Sequence, residues 1–276
     1  MTLLLAVAAG ALIGLSLGAL GGGGSILAVP ALVYLLDQTA SQATTGSLVV
    51  VGVTSLTGAV TAQRSGNVKL ARGMTFGLVA IGGAAAGSKA STLVSEPVLL
   101  TAFAALMLLV GGLMALRLVR HARAGTAGGA HAARPMLDDP IISLREGFLC
   151  DCPRAVKVLV TATVVGLLTG FLGVGGGFLV VPALTLALAL PMEYAVGTSL
   201  VVVTMTSAAA LAVRAGTGTT PDWTLVATLT AASAVGGFAG ARLAGRIDTA
   251  KLTVAFTALI LGVAFYTATQ AVPGLI

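Results

Sequence analysis

A glycine-rich apolar stretch occurs twice in this chain and limits what it can fold into. Gly18–Pro30 reads GALGGGGSILAVP, and Gly170–Pro182 reads GFLGVGGGFLVVP. Glycine in a helix interior is disfavoured by roughly 1 kcal/mol relative to alanine. Four in succession, Gly21 to Gly24, are therefore expected to break a helix. Inside a bilayer a broken backbone is tolerated only where protein or a bound group satisfies it. The two stretches read as paired helix breaks facing one central site.

Composition sets the environment. Of 276 residues, 57% are hydrophobic and 9% are charged, and the mean hydropathy is +1.05. These values point to an all-α polytopic membrane protein. The apolar segments lack the period-two alternation of an outer-membrane barrel. Met1–Leu20 has no basic leading region, so it reads as the first membrane helix rather than a signal peptide. The net charge of +6 comes from Lys and Arg in short loops beside apolar segments. Membrane topology explains that pattern, and nucleic acid is not an expected partner.

About ten helical segments follow from the hydropathy: Thr2–Leu20, Ser25–Leu36, Ala43–Ala62, Met74–Val94, Pro97–Leu118, Ala155–Leu172, Phe178–Leu190, Ala195–Val213, Trp223–Leu243 and Leu252–Thr269. Asp37–Gln42 reads as a polar loop. Residues 1–118 form one transmembrane repeat and 155–276 a second. Between them, 119–154 reads as a polar linker with an amphipathic piece at Ile141–Leu149. The repeats align without a gap: Gly14–Ser55 matches Gly166–Ser207 at 21 of 42 positions. Later, Arg64-Ser65-Gly66 resembles Arg214-Ala215-Gly216, and Ala86–Lys89 resembles Ala239–Arg242.

Two homologous halves can be parallel or inverted. With an inverted arrangement every loop Lys and Arg except Lys89 and Arg214 falls on one side. That separation fits the positive-inside rule better than the parallel alternative. The expectation is inverted repeats, termini outside and the 119–154 linker in the cytoplasm, in a bacterial inner membrane.

The candidate site residues lie at the breaks and just after them. A half-helix restarting near Ser25 or Gly177 would aim free N–H groups at an anion. Gly22, Gly23, Gly24, Ser25, Gly175, Gly176 and Gly177 are the residues concerned. Close helix packing explains Gly14/Gly18 and Gly166/Gly170 better. Thr45, Ser47, Thr198 and Ser199 supply hydroxyl donors at the starts of the following helices, each followed by a second polar pair, Thr54-Ser55 or Thr206-Ser207. Such hydroxyls also bond their own helix or cap it. Arg64 and Arg214 would attract an anion at the mouths, or snorkel to the interface. Cys150 and Cys152, with His121 and His131 distant in sequence, do not make a metal site. No cofactor is implied. No acid or His lies securely inside a span, so no carboxylate proton relay is visible and the coupling ion is unassigned. An enzyme would need a nucleophile–base pair or a metal cluster within the spans, and neither is seen.

These features together resemble the TauE/SafE family of membrane transporters. The resemblance rests on Gly170–Leu184, on Ala195–Leu200, on the weaker first-half copies and on Gly236–Leu243, within the two-half layout. It implies export of sulfite or an organosulfonate by a secondary transporter. Ser25 in place of a glycine, and Thr45-Gly46-Ser47 in place of Gly-Thr-Ser, depart from the family pattern and make the half-sites unequal. Other expectations kept open are a different small anion such as a carboxylate, inward movement, and a non-transporting scaffold. The expected partners are the small anion, membrane lipid and, as one option, a second copy in a homodimer.

Overall fold

The computed structural model describes residues 2–124, 152–173, 176–187, 190–215, 221–244 and 249–271. Among these the chain is helical, with no strand. The first half contains α1 (Thr2–Leu20), the single turn α2 (Ala28–Pro30), α3 (Ala40–Arg64), α4 (Leu70–Ser91) and α5 (Glu96–Ala124). The second contains α6 (Cys152–Leu172), α7 (Gly177–Ala187), α8 (Met192–Arg214), α9 (Trp223–Ala244) and α10 (Thr249–Ala271). Six segments are long and apolar enough to cross a bilayer, among them Leu3–Leu20, Ala40–Arg64 and Tyr194–Arg214. Residues such as Leu4, Leu93, Val235 and Phe265 leave apolar side chains on the outer surface, as lipid contact requires. The chain is an all-α multi-pass membrane protein.

Two boundaries differ from the sequence-based expectation. The polar stretch Asp37–Gln42 is not all loop, because α3 already begins at Ala40. Thr39 caps it: its hydroxyl accepts from the Gln42 N–H, and the Gln42 side chain accepts from the Thr39 N–H. At the middle of the chain α5 runs on to Ala124 and α6 opens at Cys152, so both helices extend into the stretch 119–154. Residues 125–151, including the piece at 141–149, His131 and Cys150, lie outside the described residues.

The halves embrace by exchanging helices. α1 packs on α9, and its duplicate α6 packs on α4, the duplicate of α9. Glycines mediate both contacts in matching places. Gly14 and Gly18 lie against the backbone of Ser233 and Gly237, while Gly166 and Gly170 lie against that of Ala80 and Ala84. In return Gly236 and Gly240 meet Ala11 and Leu15, as Gly83 and Gly87 meet Thr163 and Leu167. Any Cβ at these glycines would enter a neighbour's backbone. Close approach of this kind holds helices together where lipid is as apolar as a side chain.

Contact order along the helices gives their directions. On α3 and α8 Gly52 faces Ser207 and Gly58 faces Leu200, so these two equivalent helices run antiparallel. α1 and α9 run parallel, as do α4 and α6, since their glycine contacts advance together. Duplicates that point in opposite directions are related by a two-fold axis perpendicular to the helices. α5 and α10 pair with each other, and α7 is anchored to α5 by Phe178 against Phe103, ring centroids 6.0 Å apart.

This packing predicts a sharp contrast. Gly170→Val puts side-chain atoms into the Ala84 carbonyl, an overpacking cost of about 3 kcal/mol. Gly82→Ala faces open space. Thermal unfolding of the detergent-solubilised protein should show a large fall for the first and none for the second.

Candidate functional site

The two breaks differ. In the first half the chain does not stop at Gly21–Gly24 and restart a helix near Ser25. It tightens into a 3₁₀ helix over Gly21–Leu27, passes through α2, and widens into a π turn over Ala31–Leu35. This corrects the expected half-helix Ser25–Leu36. Glycines accept the tight winding, which keeps N–H groups paired three residues back instead of releasing them. Pro30 has no N–H to give, and the wide turn begins directly after it. The Ser25 hydroxyl donates to the Gly22 carbonyl at 2.6 Å. In the second half α6 ends at Leu172 and α7 begins at Gly177, where a helix start was expected. The Gly176 carbonyl accepts from both Leu179 and Val180. Gly175 lies outside the described residues.

Each break docks on the other half. Gly21 and Gly173 both have left-handed backbone, φ +68° and +65°, which a side chain would strain. Gly21 sits against Val196 and Ser199 at the start of α8, and the Gly22 N–H donates to the Ser199 hydroxyl at 3.4 Å. Gly173 sits against Thr44 at the start of α3, and the Ser47 hydroxyl bonds the Gly173 carbonyl. The two breaks also meet: Gly22 and Gly177 touch backbone to backbone. Gly24 backs onto α1 near the Ile13 carbonyl, and Gly176 onto Thr169. Gly23 lies within the 3₁₀ helix. In this conformation the described glycines of the breaks are covered by protein.

The strongest electrostatic feature is Arg214. It is only 4% exposed, at the last residue of α8. Its guanidinium donates to the Thr44 hydroxyl at 2.6 Å, to Thr45 at 3.4 Å, to Ser91 at 2.5 Å and to Ser88 at 3.2 Å. It therefore joins the end of α8 to the start of α3 and the end of α4. The snorkelling alternative does not describe it. Arg64, its motif partner, is exposed. Register explains the difference. At the offset that aligns Gly14 with Gly166, Arg214 falls on Ala62, two residues short of Arg64. Two residues turn a helix about 200°, so the stems leave opposite sides.

The cluster has no polar copy. Where one side holds Thr44, Thr45, Ser88 and Ser91, the duplicate positions are Val196, Gly197, Ala241 and Ala244. Thus Thr45, Ser47 and Arg214 gather with Gly173, while Ser25, Ser199, Gly22 and Gly177 gather at the crossing. Thr198 stands apart, accepting from the Lys69 N–H at 3.1 Å. Ser88 and Ser91 were not among the sequence-derived candidates. Comparing α4 with α9 position by position, for polar residues lacking a polar duplicate, would have found them.

A chain that crosses the membrane many times and buries a cation among hydroxyls has the organisation of a membrane transporter. Comparison with known proteins agrees. Residues 6–267 match the family described as Sulfite exporter TauE/SafE, and the chain belongs to that family. A probable membrane transporter protein of Xylella fastidiosa strain 9a5c is 32% identical over 96% of this chain and 94% of its own length. A counterpart in strain Temecula1 is 31% identical over the same shares. A probable membrane transporter protein of Bacillus subtilis, YunE, is 31% identical over 71% of this chain and 70% of its own. No solved structure matches. The protein is a membrane transporter, not an enzyme.

Arg214→Ala removes a fork that ties three helices and should destabilise the protein by on the order of 3 kcal/mol. Arg214→Lys keeps the charge but cannot reach Thr44 and Ser91 together, so it should recover only part. Arg64→Ala should unfold with the wild type. Equal melting of Arg214→Ala and wild type in detergent would contradict the assignment.

Proposed function

We propose that the protein is a secondary transporter that exports a small sulfur oxyanion, sulfite or an organosulfonate, across a bacterial inner membrane. The buried Arg214 cluster carries this reading. A permanent cation inside a span, held by hydroxyls next to a glycine break, favours an anionic cargo. The family description names sulfite, which fixes the first substrate to try.

The cargo binds where the breaks cross. Gly22–Gly24, Ser25 and Gly175–Gly177 allow close backbone approach, the start of α7 offers N–H groups, and Thr45, Ser47, Thr198 and Ser199 offer hydroxyls. Arg214 draws the anion to one mouth, and Arg64 contributes positive potential at the other. Movement of one half against the other opens the sides in turn. The antiparallel duplicates support an inverted orientation in the bilayer, with the 119–154 stretch cytoplasmic by the charge rule. The one-sided polar cluster makes the two mouths unequal, so exit and re-entry need not be equally fast.

Flux of sulfite into proteoliposomes of the purified protein tests this. Saturable flux that an organosulfonate inhibits more strongly than acetate is the expected result. A pH gradient that changes the rate would identify proton coupling. Flux no greater than that of empty liposomes for sulfite, sulfate, taurine and acetate would overturn it.

A further inference from the structure

Two hydroxyls remain that neither the folding of the bundle nor the Arg214 cluster uses. Ser55 on α3 is 0% exposed and Ser207 on α8 is 1% exposed. The Oγ atoms of both are buried without a hydrogen-bond partner. This is unusual here, because neighbouring hydroxyls are satisfied. Thr54 donates to the Val50 carbonyl and shares a 2.7 Å bond with Ser233, and Thr206 donates to the carbonyl of Val202. A buried hydroxyl left unpaired costs stability, and chains avoid it unless something else fills the need.

The two residues are copies of one position, since Ser55 aligns with Ser207 at the offset that aligns Gly14 with Gly166. They also share one seam. Gly52 of α3 faces the Ser207 Cβ, and a Cβ on Gly52 would lie 3.4 Å from it. Gly58 faces Leu200, with 3.1 Å to a methyl. Ser55 stands between Gly52 and Gly58 at three-residue spacing, on the same side of the helix. The seam is the antiparallel contact of the two equivalent helices, so it lies at the two-fold axis, about midway along both. Its glycines leave room beside the hydroxyls. The other described side chain with both amide atoms buried and unpaired, Gln38, has Leu190 as its duplicate and so has no such symmetry.

We propose that Ser55 and Ser207 form a substrate-oxygen contact on the transport path, donating their free O–H groups to a partly dehydrated oxyanion as it passes between α3 and α8. This rests on the transport reading above and names residues that reading lacks. Symmetry gives the contact its purpose. Interchanging the roles of the halves turns one open side into the other. A contact made of a residue and its own copy is then offered equally in both states, whereas the Arg214 cluster serves one side. The free O–H groups are donors and the seam supplies no carboxylate, so an anion fits better than a metal cation.

The test uses the full chain with Cys150→Ser and Cys152→Ser, carrying Ser55→Cys or Ser207→Cys, in proteoliposomes treated with a small charged methanethiosulfonate. Both cysteines should react, and sulfite should slow the reaction at each. In parallel, Ser55→Ala/Ser207→Ala should raise the sulfite KM about ten-fold without lowering the melting temperature, since no bond is lost. Unreactive cysteines at both positions would overturn the proposal, as would reaction that sulfite does not slow. An unchanged KM in the double alanine variant would overturn it too. If the wild type carries no sulfite yet sulfite slows both reactions, the contact stands and the transport reading falls.

Discussion

Backbone meeting backbone at Gly22 and Gly177 is the constraint on which the rest of the structure depends. Any side chain at either position would hold the two halves apart. Because they meet, each break reaches the other half: Gly21 and Gly22 arrive at Val196 and Ser199, and Gly173 arrives at Thr44 and Ser47. Water cannot satisfy backbone in the hydrocarbon core. The fold satisfies it differently in each half, by 3₁₀ winding in one and by a new helix start at Gly177 in the other. Hydroxyls of the partner half meet backbone groups at both.

Around that crossing the duplication builds a scaffold that is symmetric in packing and asymmetric in chemistry. The glycine contacts of α1 with α9 recur in α6 with α4 almost residue for residue. The polar groups do not recur. Arg214, Thr44, Thr45, Ser88 and Ser91 form a buried cluster on one side, and the other side has Val196, Gly197, Ala241 and Ala244 in their places. Packing tolerates little change when backbones touch, so the glycines persist in both copies. Side chains facing the mouths are freer to diverge, and divergence there makes the two directions of movement unequal.

Much of the fold was legible in the sequence because hydropathy and glycine spacing report on packing directly. Every expected apolar segment from Ala43–Ala62 to Leu252–Thr269 corresponds to a helix, within a few residues at the ends. The first break was not legible. Four glycines forbid a comfortable α-helix, but they do not say whether the chain opens or winds tighter, and the tertiary contacts of Gly24 with α1 decide for winding. The Thr39 cap was also missed, since Thr39 and Gln42 look like loop residues until they pair. At the candidate site, the burial of Arg214 was hidden by its resemblance to Arg64. The motif Arg-x-Gly aligns the two, whereas helical register separates them by two residues and sends them to opposite faces.

Opposed orientation of two interlocked halves is the central claim, and side-specific labelling tests it most directly. A single cysteine is placed after α3, at Ser65→Cys, or after α8, at Ala215→Cys, in the chain lacking Cys150 and Cys152. Both positions are exposed. A membrane-impermeant maleimide is then applied to intact cells and to inverted vesicles. The account predicts that the two positions label from opposite sides, Ala215→Cys from outside and Ser65→Cys from the cytoplasm. Labelling of both from the same side would mean parallel halves and would contradict it.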